Sequence, residues 1–307
     1  MGLSTERIRE ALENGLLSFP ITDMDDDGKF DPTSYKNRIK WFLEHSISAI
    51  FVAGGTGEFF SLSQAEYEQI TDIAAKTTDQ KIPVVASAGR SIPEAIAFTK
   101  IAEQAGIDAI LLMPPYLVQG PEDGTFEYAK RIIQSTNLPI IYYNRANGIL
   151  TTSFLERLAH ECPNFIGLKD GTGNIQNLND TIKSLDDRLS YIGGVPTAEI
   201  IAEAYLSIGV NTYSSAVFNF VPDLALQFYA SLRSGDNDMV NKLLKAFYIP
   251  FVRLRGNKKG YAVSLIKAGA KIIGRDAGNV RSPLVMPSDP EADLLGQIIR
   301  QGESVLI

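Results

Sequence analysis

A single (β/α)8 TIM barrel of the α/β class, with a helical C-terminal extension, is the fold this sequence predicts, on three observations. Short apolar runs alternate with amphipathic stretches along the 307 residues. The strand–helix unit recurs about every 30 residues, which marks a parallel sheet with crossover helices. Eight candidate strands fall in the first two-thirds of the chain, the number that closes such a barrel. A doubly wound open sheet is the runner-up, because periodicity alone does not separate the two.

Residues 16–21 read as the first strand, and 49–53 (AIFVA) as the second, ending at a glycine-rich turn. Residues 83–88, 109–113, 139–144 and 165–169 follow, with 191–193 and 211–215 as weaker candidates. Between them, 63–76, 92–104, 123–134 and 153–160 carry apolar residues at three- and four-residue spacing, the signature of amphipathic helices. After Pro222 the pattern turns helical over 224–251 and again over 261–273. Residues 1–222 are therefore read as the barrel and 223–307 as a helical extension packed on it, one structural unit without a dividing linker.

The apolar share of 45% is ample for a large core in a chain this long. A net charge of -7 with no basic block argues against nucleic acid or a membrane surface as partner. Any acidic small-molecule substrate must then be held by local donors. The single cysteine, Cys162, allows no intrachain disulfide and fits a reducing compartment. The segment MGLSTERIREALENG has a helical pattern without the apolar core of a signal peptide, and no apolar run approaches the roughly 18 residues of a membrane span. The expectation is a cytoplasmic protein.

In such a barrel the chemistry sits at the C-terminal ends of the strands. That filter selects residues 54–58, 114–116, Tyr143 with Asn144 and Arg145, Lys169 with Asp170, Gly193 with Gly194, and Ser214 with Ser215. Lys169 ends an otherwise apolar strand. Burial disfavours its charged form, and a neutral amine attacks a ketone to give an imine. The plainer reading is a strand-end lysine whose stem reaches water. Tyr143 ends PIIYYN, where a phenol can relay protons or simply rest at the rim. Tyr142 points the opposite way, and the pattern leaves open which of the two faces inward.

GGTGEFFSLS, from Gly54, offers crowded backbone N–H groups and the Thr56 hydroxyl to an anion. It has neither the Walker nor the dinucleotide spacing, so a carboxylate cradle or a plain tight turn remains. DMDDDGKFDPTS, from Asp23, mimics a calcium loop but puts Ser34 where a bidentate Glu is wanted, and it reads as an Asp-Gly turn. His45 and His160 fall in helices, and no metal cluster is visible. The basic run Arg253, Arg255, Lys258, Lys259 reads as a solvated loop.

GGTGE at 54–58, YN at 143–144 and GLKDGTG at 167–173 occur in that order, and together they resemble the dihydrodipicolinate synthase / N-acetylneuraminate lyase superfamily over nearly the whole chain. GLLSFPITD, YNRAN, GGVPTAE, YSSAVFNF and KKGYAVSLIKAGA differ from the synthase and lyase patterns and resemble a branch that dehydrates and decarboxylates a keto-deoxy sugar diacid. The resemblance implies a (β/α)8 barrel assembled as a homotetramer. It implies an imine on Lys169 with no other cofactor and a proton relay at Tyr143. It places Gly55 and Thr56 on the keto-acid carboxylate, Gly193 or Gly194 at the pocket floor, and Ser214 and Ser215 near the lysine. Arg145 is the candidate for positioning the distal carboxylate. Two departures from the synthases stand out: Leu117 takes the place of a second relay tyrosine, for which Tyr116 is the substitute candidate, and Gly148 takes the place of an arginine. An aldolase or lyase releasing pyruvate is the alternative on the same scaffold, and a catalytically idle ligand-binding barrel is the alternative from another class.

Overall fold

Eight short strands run in one direction and close on themselves: β1 (Leu17–Ser18), β2 (Ala49–Val52), β3 (Val84–Ala88), β4 (Ala109–Leu112), β5 (Ile140–Asn144), β6 (Phe165–Asp170), β7 (Ser190–Gly193) and β8 (Thr212–Ser215). The computed structural model describes residues 2–307, so Met1, the first residue of the expected barrel unit, lies outside them. β8 pairs with β1 through Leu17–Ser214 and Ser18–Ser215, which sets aside the open sheet. Runs such as AIFV and AILL are buried at every position. That is the pattern of strands covered by helices outside and by packed side chains inside.

The helices are α1 (Thr5–Glu13), α2 (Pro32–Phe42), α3 (Gln64–Thr78), α4 (Ile92–Ala105), α5 (Glu122–Ile133), α6 (Thr152–Glu161), α7 (Ile175–Leu185), α8 (Ala202–Ser207), α9 (Pro222–Ser234), α10 (Asn237–Leu243), α11 (Ile249–Arg255), α12 (Tyr261–Ile272) and α13 (Asp289–Glu303). Their starts are written locally. Ser63 with Glu66, and Ser91 with Glu94, form reciprocal capping boxes at α3 and α4.

Three elements depart from the sequence reading. β1 is two residues long rather than six, because Pro20 has no N–H to give and the Ile21 N–H goes to the Asn219 side chain, 3.0 Å. The helix expected over 224–251 is broken at Gly235, whose left-handed backbone caps α9, and a π-turn at Leu244–Tyr248 precedes Pro250. α13, capped by Ser288 and Glu291, was not anticipated. α9 packs on the barrel, with the Tyr229 ring 6.0 Å from Tyr213 and its hydroxyl accepting from the Gly15 N–H. The eighth barrel helix, from Pro222 to Ser234, thus falls almost wholly in the segment 223–307 assigned to the extension.

Candidate active site

The acidic segment after β1 resolves into structure rather than a cation site. Asp31 caps α2, Asp25 accepts from the N–H groups of Asp27 and Lys29, and Asp23 makes a buried two-point pair with Arg38 at 2.7 and 2.8 Å. Among the described residues no group of three His, Cys, Asp or Glu could hold a metal ion.

At the C-terminal ends of the strands lies a cavity of about 500 Å³. Strand alternation decides what faces it. On β5 the Tyr143 side chain turns inward, while Tyr142 turns outward and donates to the Gly148 carbonyl. Tyr143 pairs in register with Lys169 on β6. The Lys169 amine lies 3.9 Å from the centre of the Tyr143 ring and 4.6 Å from that of Phe19, and only 4% of the residue is exposed. Burial pushes its pKa down, against the opposing pull of Tyr143, and so favours the free amine. Asp170, next in sequence, turns away and holds the following loop, accepting from the Tyr205 hydroxyl at 2.7 Å and from the Thr172 N–H at 2.9 Å.

The Tyr143 hydroxyl donates to the Gly194 carbonyl at 2.7 Å and accepts from the Arg145 guanidinium at 2.8 Å. Burial pushes this phenol up, but Lys169 and Arg145 outweigh it and bring it below its ordinary pKa. Arg145 is the permanent part of that field, since it stays charged when Lys169 is neutral. Tyr116 also lines the cavity, but burial pushes it up to about 12, so it keeps its proton. Leu117 is 99% exposed at the rim with a left-handed backbone.

Gly55 and Thr56 line the cavity, and a Cβ at Gly55 would meet nothing within 4 Å, leaving room for an anion against the backbone. Gly194, not Gly193, lines it too. A Cβ there would stand 2.6 Å from Lys169 Cγ and 2.6 Å from the Asp170 carbonyl, so only glycine lets the lysine pass. Ser214 lines the cavity. Ser215 does not: one residue on, its side chain points outward and its hydroxyl donates to Glu199 at 2.6 Å, which corrects its expected place in the pocket.

Two further groups take places that the sequence reading does not assign them. Arg255, read from sequence as part of a solvated basic loop, is half-buried at the end of α11, lines the cavity and donates to the Thr197 hydroxyl. Its neighbours Arg253, Lys258 and Lys259 are exposed. Glu58, the last residue of GGTGE, is fully buried and pairs with the fully buried Lys267 of α12 at 2.8 Å. Glu58 also accepts from the Arg281 N–H at 2.9 Å, and Lys267 donates to the Asn279 carbonyl at 2.9 Å. The extension therefore clamps the glycine turn that carries Gly55 and Thr56. A lone lysine within the apolar run YAVSLIKAGA was the available signal.

The family model for the dihydrodipicolinate synthetase family matches residues 12–302. The chain is 46% identical to a Rhizobium rhizogenes protein named "Probable 5-dehydro-4-deoxyglucarate dehydratase", covering 97% of this chain and 98% of that one. The same figures hold for a Rhodococcus opacus protein of the same name. Among solved structures, dihydrodipicolinate synthase from Bacillus clausii superposes with a TM-score of 0.88 at 26% identity, covering 96% of this chain and 99% of that one.

Proposed function

Because the chain belongs to the dihydrodipicolinate synthetase family, we propose that it is a decarboxylating hydro-lyase which forms an imine on Lys169 and converts 5-dehydro-4-deoxyglucarate to 2,5-dioxopentanoate, CO2 and water. The observation that carries this reading is a buried lysine amine against a phenol of lowered pKa, in a cavity also lined by two guanidinium groups, Arg145 and Arg255, and, among the described residues, by no Asp or Glu. In a chain of net charge -7, such a pocket suits a small keto-diacid.

The Lys169 amine adds to the substrate ketone and expels water, giving a protonated imine that withdraws electrons. The keto-acid carboxylate rests on the backbone of Gly55 and the Thr56 hydroxyl. Tyr143, as phenolate, takes a proton from the methylene carbon, and the enamine then expels the adjacent hydroxyl as water, protonated by Tyr143. In the resulting unsaturated iminium, the electrons of the bond to the distal carboxylate flow through the chain to nitrogen as CO2 departs. Protonation of the two carbons between, ketonisation of the enol to an aldehyde, and addition of water across the imine release the product and the free amine. Arg145 keeps Tyr143 acidic enough to shuttle those protons.

The chain uses no further cofactor in this reading. It works as a cytoplasmic homotetramer, and the exposed Leu117 and Val118 at the rim support a face that another copy covers. Among the described residues no helix is long and apolar enough to cross a membrane.

Incubation with 5-dehydro-4-deoxyglucarate, following CO2 and 2,5-dioxopentanoate, tests the reaction. Both products in equal amounts support it. Release of pyruvate instead moves the protein to the aldolase reading, which shares Lys169 and Tyr143.

A further inference from the structure

Two guanidinium groups reach the cavity from different parts of the chain. Arg145 comes from the loop after β5 and is engaged with the Tyr143 hydroxyl. Arg255 comes from the extension, and among the described residues its hydrogen-bond partner is a neutral group, the Thr197 hydroxyl. Among the described residues neither guanidinium has a carboxylate within ion-pairing distance. The two lie close enough for the positive charge of Arg145 to depress the Arg255 pKa, which burial already lowers. The acid nearest in effect is Glu199, itself buried and pushed up to about 7, so it supplies only part of a negative charge near neutrality.

Position along the chain separates their tasks. Gly194 touches Lys169, and Thr197 stands three residues further along the same loop, away from the strand end. Arg255 is thus held on the cavity wall by the loop after β7, whereas Arg145 is held by the loop after β5. A keto-diacid whose first carboxylate rests at Gly55 and Thr56, and whose ketone meets Lys169, extends its far end past the Lys169 and Tyr143 pair. The part of the cavity wall that α12 supplies is apolar, with Val263 and Ile266. An unpaired, partly desolvated arginine binds a carboxylate strongly in such surroundings.

We infer that Arg255 holds the distal carboxylate and selects a six-carbon keto-diacid over a keto-monoacid of equal length. The assignment rests on the keto-diacid reading and specifies where its second charge goes. Arg145 is left to serve Tyr143. Contact with one guanidinium rather than two also limits the ground-state stabilisation of a carboxylate that must leave as CO2.

The test compares borohydride trapping of the imine with 2-oxoadipate and 2-oxohexanoate, which differ only in the distal carboxylate. The wild-type protein is expected to be half-trapped at about 10–100-fold lower 2-oxoadipate, the range a charge-assisted hydrogen bond supplies. Arg255→Ala should abolish that preference and Arg255→Lys should restore part of it, while trapping with pyruvate stays unchanged in both and reports an intact lysine. A preference that survives Arg255→Ala, or that disappears in Arg145→Ala instead, overturns the assignment. Failure of the reaction reading is separable, because it shows as absence of 2,5-dioxopentanoate from wild-type protein whatever the trapping preference.

Discussion

Tyr143 and Lys169 occupy paired register positions on neighbouring strands, with the lysine amine 3.9 Å from the centre of the tyrosine ring. Parallel pairing puts both side chains on the barrel's inner face, and both are buried there. The amine is shifted toward its neutral form and the phenol toward its ionised form. An amine that attacks a ketone and a base that then takes a carbon-bound proton require those two forms.

Tyr143→Phe removes the proton relay and leaves the amine. Turnover should fall by about 10²–10⁴-fold, while borohydride trapping with pyruvate persists. Equal loss of both would assign the tyrosine to imine formation rather than to proton transfer.

Gly194→Ala places a methyl group 2.6 Å from both Lys169 Cγ and the Asp170 backbone carbonyl. The backbone contact leaves no flexible side chain to yield. The variant should lose about 1–3 kcal/mol of stability and should trap pyruvate poorly, because the lysine is pushed off its path. Wild-type trapping in Gly194→Ala would contradict the glycine's assigned role.

The barrel was legible because each strand is an apolar run of β-formers between helical stretches, and the gathering of Gly55, Thr56, Tyr143 and Lys169 in one cavity because the strand ends of a barrel converge. The facing of Tyr143 over Tyr142 was not, since a two-residue period gives alternation without its phase; register with β6 supplies the phase. Ser215 was misplaced for the same reason, one residue from Ser214. Arg255 was missed because a basic run reads as solvated, and only the packing of α11 over the mouth takes one member out of water. The Glu58–Lys267 pair spans 209 positions, beyond any local pattern.

Lys267→Met breaks that pair and leaves the Glu58 carboxylate buried without its cation. Stability should fall by about 3–5 kcal/mol, read as a lower denaturant midpoint. The double variant Glu58→Gln with Lys267→Met should recover part of it. If the double variant is less stable than Lys267→Met alone, the uncompensated charge is not the cause.

Glu199 is buried, accepts from the Ser215 hydroxyl with one oxygen and, among the described residues, finds no hydrogen-bond donor for the other, beside the buried Tyr213 and Tyr248. Burial pushes it from 4.5 up to about 7. A carboxyl raised in this way favours the folded state fully below pH 4.5, and the contribution is lost as pH rises through 7. Relative to wild type, Glu199→Gln should therefore gain stability between pH 5 and pH 8, by up to about 3 kcal/mol. A difference between the two proteins that stays constant over this range would show that Glu199 does not titrate in the fold.

In the proposed reaction Lys169 carries the substrate through loss of both water and CO2. Borohydride reduction during turnover of 5-dehydro-4-deoxyglucarate, followed by peptide mass spectrometry, addresses it directly. A five-carbon keto-acid adduct is expected on the Lys169 peptide, and none in Lys169→Ala. A three-carbon pyruvyl adduct, an adduct on another lysine, or turnover by Lys169→Ala would contradict it.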